Sequence, residues 1–489
     1  MKNEALLCEI VSHSISVLGL GISNLPLIEF LLREGARDIV ARDKKPFDQL
    51  DARVRALAEK GVRFVTGEGY LEGIEEATVF RSPGIRPDIP ELLACRARSA
   101  LVTSEMELFL ALTEAKTLAV TGSDGKTTTT TLSHLMLSEA QVGGHVYCGG
   151  NIGTPLLPLV REMTERDFAV LELSSFQLMQ MKEKVSSAVI TNITPNHLNW
   201  HKGYAEYIEA KACVLPPKGH RIVLNAKNAE TANLARRTAD THERVLFSAD
   251  MPYSDMHARF GSATYYYVQD GYVVRTDREG RTEALLDTSS IRLRGRYNIE
   301  NYMAASALTE PYVTAEDVRA VAERFTGVRH RLEFVCTVRG VSYYNSSIDS
   351  SPLRTCSTLS ALTETPIVIC GGAAKGLTFE SLAEPLLTKT KALVLVGATA
   401  QEIYRCVTQS PLYDAERYRI LRADSMEEAV TLAASIAEYG DTVLLSPACT
   451  SFDMYRNFEA RGDHFCALAL ALDDDERDVR IYKNKGEIS

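Results

Sequence analysis

The chain has no excess of positive charge, no Cys-x-x-Cys pair and no long apolar run, and each absence excludes something. With 54 Lys and Arg against 64 Asp and Glu, the net charge is −10. No nucleic-acid partner is therefore expected, because a surface that follows a phosphate backbone carries basic excess. The ten cysteines are scattered singly (Cys8, Cys95, Cys148, Cys213, Cys336 and onward). That pattern suits reduced thiols in the cytoplasm better than a disulfide framework or a zinc site. No stretch approaches the ~18 apolar residues of a membrane span, so no membrane association is expected. The first residues, with Lys2, Glu4 and Glu9, lack the apolar segment and small-residue cleavage site of a signal peptide. Internal repeats, low-complexity tracts and long linkers are missing as well.

What is present is 489 residues of ordinary composition, 45% hydrophobic and 24% charged, enough for about three domains of ~150 residues each. The most informative stretch runs from Thr117 to Thr130. A β-branched and apolar run, Thr117–Thr121, reads as a buried strand, and the run from Lys126 onward reads as a helix. Between them Gly122, Ser123, Asp124 and Gly125 form a turn that aims backbone N–H groups and a helix N-terminus at one point, a site for phosphate. Lys126 adds a point charge for terminal phosphates, and the Thr127 hydroxyl, followed by Thr128, is placed to ligate Mg²⁺. The strict nucleotide loop has a further glycine where this chain has Val120.

Upstream, Ser14–Leu18 reads as a strand, Gly19-Leu20-Gly21 as a turn with Asn24 in place of a third glycine, and Leu25–Leu32 as a helix ending at Gly35. A second strand leads through Ile39–Ala41 to Asp43, which completes a Rossmann-like opening. Lys44 and Lys45 beside Asp43 suit a phosphate-bearing ligand, and Ser82-Pro83-Gly84 forms a second strand-end loop where a ligand can lie. The middle of the chain alternates strand and helix signals, as a parallel sheet requires. Phe168–Leu173 carries Glu172 near its C-terminal end, and Ala188–Ile193 runs into the polar loop Thr194–His201. A helix over Tyr204–Val214 bears Lys211, Arg236–Thr288 reads as β-hairpins, and Met303–Leu308 reads as a small-residue helix. A third unit is expected from about Val328, with strands at Ile367–Cys370, Ala392–Val396 and Thr442–Leu445.

Taken together these motifs resemble the Mur ligase family of ATP-dependent peptidoglycan amide ligases. The resemblance is carried by Gly122–Thr128, Gly150–Pro155, Glu172–Gln177, Asn196-His197-Leu198, Ala210-Lys211, Asn298–Asn301, His330-Arg331, Ser446–Asp453 and Asn457–Gly462. It implies an α/β fold of three domains. These are a Rossmann-like UDP-substrate domain (1–112), a central P-loop-type ATPase parallel sheet with β-hairpins (113–328) and a C-terminal Rossmann-like α/β domain for glutamate (329–489). It further implies ATP and Mg²⁺, UDP-N-acetylmuramoyl-L-alanine and glutamate as substrates, an acyl-phosphate intermediate and a monomeric enzyme.

By the same resemblance, Gly122, Ser123, Asp124, Gly125, Lys126, Thr127 and Thr128 hold the nucleotide phosphates, with Asn298 and Asn301 on the nucleotide and Arg331 reaching the phosphates from the third domain. Thr127, Glu172, His197 and Lys211 attend the metal, Lys211 as a carbamate, and Lys126, His197, Lys211 and Arg331 form the catalytic set. Ser82 and Asn151 face the nucleotide-sugar substrate, while Lys375 and Ser446 take the incoming glutamate. The chain departs from the family pattern at Asn199, where relatives carry Asp, and at Ser346, where many carry an Asp that meets the ribose; Asp349 is a candidate substitute. A folylpolyglutamate synthase shares the nucleotide loop and also adds glutamate, but lacks such a first domain. A non-catalytic nucleotide-binding protein would not need Lys126, Thr127, Glu172, His197 and Lys211 together.

Overall fold

The computed structural model describes the chain except residues 22, 51, 199, 294, 363, 374–377, 473–476 and 479–489. Asn199 and Lys375 therefore lie outside the described residues. The chain divides into two compact units, Met1–Phe325 and Thr326–Ser489.

The first unit holds two sheets. Strands β1 (Ile15–Leu18), β2 (Ile39–Asp43), β3 (Arg63–Thr66), β4 (Thr78–Arg81) and β5 (Leu101–Thr103) pair in the order β3-β2-β1-β4-β5, all parallel. The chain leaves β1 toward one edge and returns to β4 on the other side, so a crevice opens at the carboxyl ends of β1 and β4. Gly19 follows β1 and Ser82 follows β4; a Cβ on Gly19 would stand 2.9 Å from that of Ser82, so the two turns touch. Asn24 is the first residue of the helix Asn24–Arg33, and its amide donates to the carbonyls of Leu18 and Gly19, fastening the turn.

The central sheet adds β6 (Lys116–Thr121), β7 (Val146–Gly150), β8 (Phe168–Glu172), β9 (Ser187–Ile190), β10 (Arg221–Asn225), β11 (Glu243–Ser248), β12 (Thr264–Gln269), β13 (Tyr272–Thr276) and β14 (Thr282–Asp287). Its order is β14-β13-β12-β11-β10-β9-β6-β8-β7, parallel from β7 through β12 and antiparallel only at β13 and β14. The expected run of hairpins over Arg236–Thr288 is thus corrected: β11 is a buried parallel strand, a helix Tyr253–Phe260 follows it, and only β12–β14 form hairpins. The small-residue helix also starts earlier than expected, spanning Tyr297–Thr309 and so placing Asn298 and Asn301 on its first turn and a half. One apolar core runs from Leu7 and Phe30 under the first sheet to Leu224 and Tyr267 in the second, which is why both sheets belong to one unit.

In the second unit β15 (Glu333–Val338), β16 (Val341–Asn345), β17 (Ile367–Cys370), β18 (Ala392–Val396), β19 (Arg419–Ala423), β20 (Thr442–Leu445) and β21 (Arg477–Asp478) pair as β19-β18-β17-β20-β16-β15-β21. Side chains alternate across this sheet: Ile367, Ile369, Val394 and Leu445 pack on one face, and Val368, Cys370, Leu393 and Leu444 on the other. Strands buried on both faces read as continuous apolar runs, which is why these were visible in the sequence. The reversal of strand order lies at β17 and β20, where Gly371 donates its N–H to Pro447 and Ser446 donates its own to Ile369.

Candidate active site

In the central sheet the strand order reverses around β6, with β8 on one side and β9 on the other, so ligands gather at the carboxyl end of β6. The Gly122–Gly125 turn lies there, followed by the helix Lys126–Glu139. Two glycines in it are obligatory. A Cβ on Gly122 would stand 1.9 Å from Thr191 Oγ1, and one on Gly125, whose φ is +78°, would stand 2.4 Å from Asn301 Oδ1. The turn is fastened to the segment after β9: the Ser123 amide donates to the Asn192 carbonyl (2.9 Å), the Asp124 amide to Asn192 Oδ1 (3.0 Å), and Thr191 Oγ1 to the Asp124 carbonyl (2.6 Å). Lys126 Nζ folds back onto the carbonyls of Gly122 (3.0 Å) and Ser123 (2.7 Å), at the mouth of the turn.

Glu172 ends β8 in register with Val120 of β6, one strand from the turn. Its side chain is 2% exposed; Oε1 accepts from the Asn151 amide at 2.9 Å, while Oε2 is buried without a hydrogen-bond partner. A buried carboxyl oxygen left unpaired is costly, and a hard divalent cation is one group that would satisfy it. Lys211, on the helix Tyr204–Ala212, is 1% exposed; its Nζ donates to the Gly122 carbonyl at 2.6 Å and lies 4.8 Å over the Tyr207 ring. Burial and then the neighbouring Lys126 charge push its ammonium well below the ordinary lysine range, against the attraction of Asp124 and Glu172.

His197 sits at φ +54° on the exposed loop after β9, its ring 4.9 Å from Phe176. Burial, then Lys126 and Lys211, lower its pKa and favour the neutral imidazole. Among the described residues no three His, Cys, Asp or Glu side chains cluster for a metal. The oxygen donors available to a hard cation here are the unpaired Glu172 Oε2 and the Thr127 hydroxyl, with the His197 imidazole on the loop after β9.

Asn298 and Asn301 are buried beside the turn; Asn301 donates to Asn298 Oδ1 (2.8 Å) and accepts from Thr129 Oγ1. In the second unit Arg331 is exposed, next to a buried His330 held by Asn345. Ser446 is fully buried at the end of β20, its hydroxyl 2.7 Å from Asp349 Oδ2. Asp349, suggested from the sequence as a ribose contact, is itself buried in this network. Burial raises its carboxyl pKa while Ser446 and the Arg331 charge oppose the shift.

Sequence reading missed the supporting residues. Asn192 and Thr194 fix the phosphate turn, and Tyr207 OH lies 2.9 Å from Ser123 Oγ. Asn192 follows β9 by two residues, a strand-end position that could have marked it. Tyr207 carries no such signal.

Residues 120–309 match the Mur ligase middle domain and residues 330–449 the Mur ligase glutamate ligase domain. The chain is 41% identical, over 96% of its length and 99% of the relative's, to the UDP-N-acetylmuramoylalanine–D-glutamate ligase of Ruminiclostridium cellulolyticum. It is 39% identical to the same-named enzyme of Clostridium tetani, over 95% of this chain and 98% of that one. Among solved structures, the UDP-N-acetylmuramate–alanine ligase of Thermotoga maritima shares the fold with a TM-score of 0.51, 17% identity and coverage of 94% and 99% of the two chains. A glycine turn at the switch point of a parallel sheet, an unpaired buried carboxyl oxygen beside it, and likeness along nearly the whole length place this chain in the Mur ligase family.

Proposed function

We propose that the chain joins D-glutamate to UDP-N-acetylmuramoyl-L-alanine, converting ATP to ADP and phosphate, as a cytoplasmic step in peptidoglycan precursor synthesis that serves cell shape and division. The observation that carries it is identity of about 40% along nearly the whole chain to relatives named for that reaction. Residues 1–112 would hold the UDP substrate between the Gly19 and Ser82 turns, 113–328 the ATP, and 329–489 the glutamate, with Ser446 and Lys375 as its contacts. In this reading the working unit is a monomer.

In this scheme the alanyl carboxylate attacks the γ-phosphorus and ADP leaves. The glutamate amine then attacks the acyl carbonyl, loses a proton, and phosphate departs. The protein's task is positioning and charge stabilisation. The Gly122–Thr128 turn and Lys126 receive the phosphates, Arg331 adds charge to them, and Asn298 and Asn301 orient the nucleotide. Asn151, whose amide donates to Glu172, would hold the reacting end of the substrate. Thr127, Glu172, His197 and a carbamylated Lys211 would hold Mg²⁺, which would neutralise phosphate charge when bound. Burial supports a carbamate on Lys211: a neutral amine adds to CO₂ and releases a proton, and the resulting anion offers two oxygens where an ammonium would repel a cation.

The test is ADP release measured with each substrate omitted in turn, with D- and L-glutamate side by side and a folate as alternative acceptor. ADP formation that requires UDP-N-acetylmuramoyl-L-alanine and D-glutamate together supports the assignment. Turnover with the folate, or with L-glutamate alone, overturns it.

A further inference from the structure

Two segments of the proposed reaction site, the turn at His197 and the helix Ser175–Leu178 just past Glu172, are gripped by arginines, Arg86 from the loop that follows β4 and Arg81 from the end of β4 itself. Arg86, two residues beyond Gly84, has a side chain only 18% exposed and uses its whole fork. Nε and Nη2 donate to Asp88 (2.8 and 3.0 Å), Nη2 and Nη1 to Glu206 (2.8 and 3.0 Å), and Nη1 to the carbonyl of Trp200 (2.6 Å). The guanidinium also lies 5.0 Å over the Trp200 ring, and the indole Nε1 donates back to the Gly84 carbonyl at 3.1 Å. Arg81, the last residue of β4, donates to the carbonyls of Phe176 and Met179.

The contacts continue inward without a gap. The Trp200 and His201 amides both donate to the His197 carbonyl (3.0 and 3.1 Å), closing the turn that carries the imidazole. Phe176 packs against His197, Trp200 and His201, with ring centroids 4.9, 4.6 and 5.8 Å away. His201, which is buried, meets Ser175 Oγ through Nε2 at 3.0 Å and has Nδ1 3.3 Å from Glu206. At the outer end, the same loop begins at Ser82, which is in contact with the Gly19 turn. A group seated across those two turns would bear on the loop whose Gly84 carbonyl accepts from Trp200.

We propose that Arg86 is a positioning residue for the ligation: through Trp200 it couples seating of the nucleotide-sugar on the Gly19 and Ser82 turns to the setting of the His197 turn. This rests on the function proposed above. A bidentate fork fixes both distance and orientation, which a flexible point charge does not. Misplacing a catalytic group by about 1 Å costs up to about a hundredfold in rate. A chain of contacts becomes a coupling only when both ends are shown to move together.

The sequence offers a direct reporter, because Trp200 is the single tryptophan. UDP-N-acetylmuramoyl-L-alanine is titrated without ATP into the wild-type chain and into Arg86→Gln and Arg86→Lys, following Trp emission, with calorimetry as an independent measure of binding. Wild type is expected to show a saturable emission change that tracks the calorimetric isotherm. Arg86→Gln is expected to bind within about threefold of wild type yet lose the emission change, and kcat is expected to fall about tenfold to a hundredfold. Arg86→Lys should fall between. Should Arg86→Gln not fold, Glu206→Gln removes the facing carboxylate and is expected to weaken the emission change and kcat in the same direction. Wild-type binding with no emission change overturns the coupling, as does a full response in either the Gln variant at 86 or at 206. So does a variant whose only defect is a lower melting temperature. Absence of any wild-type binding overturns the function itself, and this inference with it.

Discussion

Gly125→Ala is expected to damage nucleotide binding by far more than its loss of conformational freedom explains. The residue sits at φ +78°, where an L side chain costs about 1–2 kcal/mol. Its new Cβ would lie 2.4 Å from Asn301 Oδ1, about 1 Å short of ordinary contact, and Asn301 is buried. Yielding that distance pulls Asn301 from Thr129 and Asn298, buried hydrogen bonds of about 1 kcal/mol each. The total destabilisation is about 3–4 kcal/mol, and the turn moves relative to the helix N-terminus that would receive the phosphates. Gly143→Ala is the control, because Gly143 has φ +80° but nothing within 4 Å of a Cβ, so only the strain of about 1–2 kcal/mol applies. Calorimetric titration of ATP with Mg²⁺ and differential scanning of both variants measure this. We expect at least a tenfold weaker ATP Kd and a melting point several degrees lower for Gly125→Ala, with wild-type ATP affinity for Gly143→Ala. Equal ATP affinities in the two variants would refute the reasoning about Asn301.

Lys211→Ala should lose nearly all turnover and regain part of it with acetate or formate, since a small carboxylate can replace a carbamate; full activity without added acid would end the carbamate proposal. Glu206, held by Arg86 well below the ordinary carboxylate range at about 2, contributes stability that is complete above pH ~4.5 and fades as pH falls toward 2. The melting-point gap between wild type and Glu206→Gln should therefore close over that window, and a gap constant from pH 6 to pH 2 would contradict the pairing. We predict that binding of nucleotide and substrate is accompanied by closure about a hinge near Thr326–Val328. Scattering curves of the free enzyme and of the enzyme with nucleotide and substrate should differ, and superimposable curves would end that expectation.

The phosphate turn was legible because its signal is local: an apolar strand, two glycines, Lys126-Thr127 and a helix lie within fourteen residues. The buried strands of the second unit were legible for the same reason, as runs such as Ile367–Cys370 that only a strand covered on both faces tolerates. What was not legible depended on distance along the chain. Val245–Phe247 reads alike as a hairpin strand or a buried parallel one, and only its neighbours β10 and β12 decide. Arg86 and Glu206 are 120 residues apart, and neither carries a motif. Asn192 and Tyr207 act by holding the turn in place, a role no residue type announces. Glu172 was found from its place at a strand end, but its unpaired oxygen appears only once Asn151 is seen to take the other.

The central claim is that the carboxylate of UDP-N-acetylmuramoyl-L-alanine is activated by phosphoryl transfer before glutamate adds. Substrate with both alanyl carboxylate oxygens labelled with ¹⁸O is turned over with ATP and D-glutamate, and the released phosphate and the amide product are weighed by mass spectrometry. The expected result is one ¹⁸O in the phosphate and one retained in the amide for each bond formed. Phosphate free of label, with amide still formed, would contradict the account.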